Sequence, residues 1–153
     1  MGNLINRYYA VISGFTALLT AIFGVYWYIF TAYLVLNILN WLTGWYKARK
    51  LGVESSLIGF RGIAKKLGYW VMITVAFLMA YVMERMGADI LKVDLSILNM
   101  VGWFTLACLI VNEIRSILEN LVQAGYKVPE VLVKGLAVVA QVLTKDANNE
   151  GRR

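Results

Sequence analysis

Residues 8–46, YYAVISGFTALLTAIFGVYWYIFTAYLVLNILNWLTGWY, are 39 consecutive positions without a charged side chain. As one helix they would run about 58 Å at 1.5 Å per residue, roughly twice the 30 Å of a bilayer's hydrocarbon core. Two crossings of about 18 residues with a tight turn between them fit that thickness, and one long, steeply tilted helix is the alternative. Gly24 is the natural turning point, because glycine accepts backbone angles closed to other residues. Tyr26, Trp27, Tyr28 and Phe30 follow at once, and such aromatics favour the headgroup level. The expected helices are residues 8–23 and 26–46, with Trp41, Trp45 and Tyr46 forming the belt at the far end.

Working outward, two further charge-free runs follow, residues 67–83 and 95–112. Each is a short but adequate span. The expectation is an all-α integral membrane protein, with three or four transmembrane helices in a domain over residues 1–124 (spans about 8–23, 26–46, 67–83 and 95–112). The connector 47–66 carries Lys47, Arg49, Lys50, Glu54, Arg61, Lys65 and Lys66, a net +5, whereas residues 84–94 carry a net −1. The excess of positive charge on cytoplasmic loops places the first inside and the second outside. Four spans then put both termini in the cytoplasm, and three put the N-terminus outside. No convincing small-residue cleavage site follows the N-terminal block, so it is expected to remain as a span rather than leave as a signal.

Beyond residue 112 the last helix is expected to continue into the cytoplasm, with Gly125 as its stop and Pro129 opening a new helix. Glu130, Lys134, Gln141 and Lys145 share one stripe, and Leu132, Leu136, Val139 and Leu143 another. Residues 125–145 therefore read as an amphipathic cytoplasmic helix that lies on the membrane surface or packs on neighbouring subunits. Residues 146–153 read as a polar, flexible tail.

Composition narrows the function classes. Of 153 residues 60% are hydrophobic and 16% charged, against about 45–50% and 25% in soluble domains. The sequence has no histidine, and Cys108 is its one cysteine. That removes zinc-finger spacing, a histidine-activated nucleophile and any intramolecular disulfide. Neither an enzyme nor a bound cofactor or metal is expected. The net charge of +6 flanks apolar blocks, which orients a protein in a membrane and does not call for nucleic acid. No Asp, Glu, Lys or Arg falls inside a proposed span, which argues against an ion-coupled transporter.

The remaining polar residues are neutral or lie at the span ends. Asn37, Asn40 and Gly44 share one face of the second helix, with Thr43 beside them. They form either helix-packing contacts or a wettable, pore-facing strip. Thr16, Thr20 and Gly24, and separately Ala76 and Ala80, are small-residue stripes of the kind that lets helices approach closely. Asn112, Ser116 and Asn120 form an i, i+4, i+8 ladder with Glu113 and Glu119 alongside. That ladder is a solvated or capping cluster, or an assembly segment between subunits. Lys47, Arg49, Lys50, Arg61, Lys65 and Lys66 suit the anionic inner leaflet.

Three of these segments resemble the phage lysis and toxin-secretion holins, the group that includes the clostridial toxin-release holin. They are Asn40-Trp41-Leu42-Thr43-Gly44, Gly59-Phe60-Arg61-Gly62-Ile63-Ala64-Lys65-Lys66, and Asn112-Glu113-Ile114-Arg115-Ser116-Ile117-Leu118-Glu119-Asn120 followed by Gly125 and Pro129. Asn40 stands where that family usually has an acid, and Arg115 where an apolar residue is common. The resemblance implies a protein of the bacterial (host) cytoplasmic membrane that partners with itself. Its homo-oligomers open large lesions and release a folded endolysin, or a protein toxin, as cargo. A non-lytic scaffold subunit of a membrane complex is the rival reading.

Overall fold

The computed structural model describes residues 2–150, which form helices joined by short turns. The chain divides into two compact units between Leu36 and Asn37.

The first unit holds α1 (Gly2–Phe23) and the beginning of α2 (Trp27–Lys50). The chain breaks between them at Gly24, whose φ is +71°. A side chain at that angle costs roughly 1–2 kcal/mol, so glycine is the residue that turns here. The backbone N–H of Trp27 donates to the Gly24 carbonyl at 3.3 Å, which closes the turn. The single long helix weighed for residues 8–46 does not form. α1 begins six residues before the expected residue 8, and its Tyr8, Val11 and Phe15 are exposed.

The second unit holds the rest of α2, α3 (Ser56–Met86), α4 (Asn99–Gln123) and α5 (Glu130–Glu150). α3 and α4 run antiparallel, and their cross-contacts fix the register: Glu84 meets Asn99, Phe77 meets Trp103, and Lys66 meets Glu113. The α3 seam follows a seven-residue repeat through Lys66, Ile73, Ala80 and Gly87, the spacing that keeps one stripe of a helix against a partner. Ile73, Ala76 and Ala80 are buried from α3, and Gly102, Leu106 and Leu109 from α4. The Ala76–Ala80 stripe therefore packs within this chain. Gly102 is required for close approach: a Cβ there would lie 2.6 Å from the Phe77 ring. That ring meets Trp103 edge-on at 5.1 Å, a favoured aromatic geometry.

A π turn (Gly87–Leu91) and a 3-10 turn (Ser96–Leu98) connect α3 to α4. Between them the Asp94 carboxylate accepts the Ser96 backbone N–H at 2.9 Å. That hydrogen bond favours the ionised form and holds the Asp94 carboxyl below its ordinary value.

The outer faces of α3 and α4 identify their solvent. Among the described residues two helical stretches, Ser56–Leu91 and Ser96–Gln123, are long and apolar enough to cross a bilayer. Only 11% and 22% of their most apolar windows are buried. Val71, Val75 and Leu78 point outward, each more than half exposed. In water such faces would be a large uncovered apolar patch; in hydrocarbon they are what a lipid-facing surface requires.

Several sequence boundaries move. The connector expected over residues 47–66 is mostly helix, because α2 continues to Lys50 and α3 starts at Ser56. α5 starts at Glu130 and runs to Glu150, so residues 146–150 are helical rather than tail, and residues 151–153 lie outside the described residues. α2 and α4 end in the same way. Gly52 (φ +67°) and Gly125 (φ +89°) occupy left-handed positions. Val53 N–H reaches the Ala48 carbonyl and Tyr126 N–H the Leu121 carbonyl, each at 3.0 Å. These are Schellman caps, which satisfy carbonyls that the last helical turn leaves open.

Candidate functional site

The packing that buries Ile73 and Leu106 also positions two charges. Lys66 lies seven residues before Ile73 on α3, and Glu113 seven after Leu106 on α4. One heptad along each seam returns to the same face, so the two side chains meet. The Glu113 side chain is 1% exposed and that of Lys66 18%. Lys66 Nζ donates to Glu113 Oε2, and Asn40 Nδ2 of α2 donates to the same oxygen at 2.8 Å. Asn120, one heptad beyond Glu113, donates to Asn40 Oδ1 at 3.0 Å and comes within 3.4 Å of Thr43 Oγ1. Thr43 hydrogen-bonds back to the Leu39 carbonyl at 2.9 Å. Gly44 completes the contact: a Cβ there would sit 3.5 Å from Asn120 Nδ2, an ordinary distance.

A buried ion pair of this kind repays desolvation only when its remaining lone pairs find donors, and Asn40 supplies one. It links three helices with directional bonds that apolar packing lacks.

A second link joins α2 to the end of α4. Lys50 Nζ donates to the Ala124 carbonyl at 2.6 Å, bringing a cation to the negative end of α4. Lys50 also sits over the Tyr126 ring at 5.7 Å. The Tyr126 hydroxyl donates to the Tyr46 hydroxyl at 3.3 Å. That hydrogen bond to its neutral form raises the Tyr126 pKa, with burial adding to the effect and Lys50 opposing it.

Beside the first link opens a cavity of about 680 Å³. Its lining comes from α2, residues 53–55, the first half of α3 and the second half of α4.

Of the residues singled out in sequence, Asn40, Thr43, Gly44, Glu113 and Asn120 are brought together, while Asn112 and Ser116 line the cavity. Asn37 is buried one turn before Asn40 on α2. Glu119 does not join them: it is exposed and pairs with Arg115 at 2.8 Å. The basic set splits. Lys66 pairs with Glu113 in the helix bundle, and Lys50 reaches the end of α4. Arg61 is exposed, Lys47 lines the cavity, Arg49 stacks on Trp45 at 5.3 Å and Lys65 on Tyr69 at 5.5 Å. The Lys66–Glu113 pairing was not read from sequence. Its signal was there, since Lys66 ends one connector immediately before a charge-free run and Glu113 immediately follows the next run. Among the described residues no group of three or more His, Cys, Asp or Glu side chains forms a metal site.

Fold and site together define a helical membrane protein whose polar residues join its own helices. The chain belongs to the bacteriophage holin family, which it matches over residues 17–141. It is 33% identical over 121 residues to an uncharacterised protein of Listeria monocytogenes, covering 79% of this chain and 78% of the relative. A second uncharacterised protein, from Listeria innocua, is 32% identical over 135 residues, with 88% and 87% covered. No solved structure matches the chain. All three motif segments that carry the holin resemblance contribute to this same cavity: Asn40 and Gly44, Gly62 and Lys66, Glu113 and Asn120.

Proposed function

We propose that this protein is a holin: copies inserted in the bacterial cytoplasmic membrane associate and open lesions that release an endolysin, or a protein toxin, to the cell wall side. The observation that carries this reading is the family match over residues 17–141, which spans every residue of the polar links. The exposure of the apolar faces of α3 and α4 supports it, since those faces are free to meet lipid or further copies. On this reading α1 and α2 add one or two crossings to those of α3 and α4. The Lys66–Glu113–Asn40–Asn120 link sets the shape of the subunit before assembly. α5, whose Leu136, Ala140 and Leu143 are half-buried while Val131, Val138 and Val142 are exposed, offers its open face to lipid or a neighbouring copy.

The test is induced expression in a bacterium, with and without a cytoplasmic endolysin that has no export signal of its own. Turbidity and entry of a membrane-impermeant dye are followed together. Abrupt dye entry with endolysin-dependent lysis is expected. Continued growth with a dye-tight membrane, despite confirmed insertion, would overturn the reading in favour of a non-lytic scaffold.

A further inference from the structure

We propose that the 680 Å³ cavity seats the phosphate headgroup of one anionic phospholipid from the inner leaflet. Its depth is the first reason. Lys66 and Glu113 stand at the ends of the charge-free runs, so the cavity lies where hydrocarbon gives way to headgroups. Trp41, Trp45 and Tyr69 line it, the aromatic types that favour that level.

Charge is the second reason. Three lysines and two glutamates line the cavity, a net +1. Glu113 neutralises Lys66. Among the described residues Lys47 and Lys65 have no carboxylate within salt-bridge distance, so both remain for a phosphate. Ser55 precedes α3 without capping it through its side chain, and it lines the cavity. The first N–H groups of α3, which have no intrahelical acceptors, add positive potential beside these cations.

The walls are the third reason. Glu113 and Asn120 close the cavity with side chains more than nine-tenths buried, and Trp41 and Tyr69, on the hydrocarbon side of Lys47 and Lys66, give the lipid's acyl end an apolar contact. A soluble phosphate ester would gain nothing from the aromatic and aliphatic lining. A bound lipid would bridge α2 and α3 beside the Lys66–Glu113 link, so its presence would bear on how readily those helices separate. This inference rests on the membrane placement of α3 and α4 and not on lesion formation, so the binding experiment and the lysis experiment fail independently.

The experiment is native mass spectrometry of the full-length protein in a neutral detergent, titrated with dihexanoyl phosphatidylglycerol, dihexanoyl phosphatidylcholine and inorganic phosphate. A 1:1 phosphatidylglycerol adduct is expected, at least about tenfold tighter than the choline lipid. The K47Q/K65Q double substitution should weaken it by about tenfold or more, and R61Q, outside the cavity, should not. G62F tests the cavity by filling it. Gly62 lines the space with nothing within 4 Å of an added Cβ, so the variant should fold and yet exclude the lipid. Equal binding of both lipids, inorganic phosphate bound as tightly as phosphatidylglycerol, or adducts unchanged in both K47Q/K65Q and G62F would each overturn the proposal.

Discussion

Glu113 is 1% exposed and accepts from both Lys66 and Asn40, so its removal should be felt more than that of any surface charge. Glu113→Leu strands the Lys66 ammonium and the Asn40 amide against apolar side chains. A loss of about 3–5 kcal/mol is expected for breaking one side of a buried pair. Replacing both partners, Glu113→Leu with Lys66→Met, removes the stranded charge and should recover much of that loss. Thermal unfolding in detergent of the two variants decides this, and a double variant no better than the single one would contradict it. Gly102 is the second sensitive residue. Gly102→Val places a Cβ 2.6 Å from the Phe77 ring and should cost about 1–3 kcal/mol through overpacking. Adding Phe77→Ala opens room, so the Gly102→Val penalty should be smaller in that background, as a double-mutant cycle of melting temperatures would show.

At the scale of single elements, three glycines with different backbones should respond with different signs. Gly52 and Gly125 hold left-handed positions in the caps of α2 and α4, so alanine at either should cost about 1 kcal/mol or more. Gly135 lies inside α5 with nothing within 4 Å of an added Cβ. Alanine there should stabilise α5 by up to about 1 kcal/mol. Circular dichroism melts of the three variants check the signs. Gly125 was legible as a helix stop because a proline follows it closely. Gly52 was not, since residues 47–66 were read as a charged connector. Lys47, Arg49 and Lys50 sit in the last turn of a helix, where cations are favourable, so their charge did not mark a loop. Arg61, Lys65 and Lys66 likewise lie within α3. Charge marks where a helix leaves hydrocarbon, and it does not mark where the helix ends.

At the scale of the whole molecule, the helical membrane class was legible because blocks of uncharged residues leave few alternatives, whereas the site was only half legible. Asn40, Thr43 and Asn120 stood out as polar residues at span ends, but α2 and α4 lie far apart in sequence, and periodicity alone does not say which faces meet. Topology remains the most direct test of how the parts are placed. α3 and α4 are antiparallel, so residues 51–55 and the Lys66–Glu113 pair lie toward one end and residues 87–98 toward the other. The first end carries the basic excess, and such excess is retained in the cytoplasm. In a Cys108→Ala background, Ile90→Cys, a position 70% exposed in the turn after α3, should react with a membrane-impermeant maleimide in intact cells. Val53→Cys, 57% exposed in the turn after α2, should react only after permeabilisation. Labelling must be done at low expression, before any lesion admits the reagent. The reverse pattern would invert the orientation, and equal labelling of both sites from outside would remove the crossing by α3. A third variant, Asn3→Cys, then fixes the count. Protection in intact cells corresponds to four crossings, with both ends of the chain inside, and labelling corresponds to three.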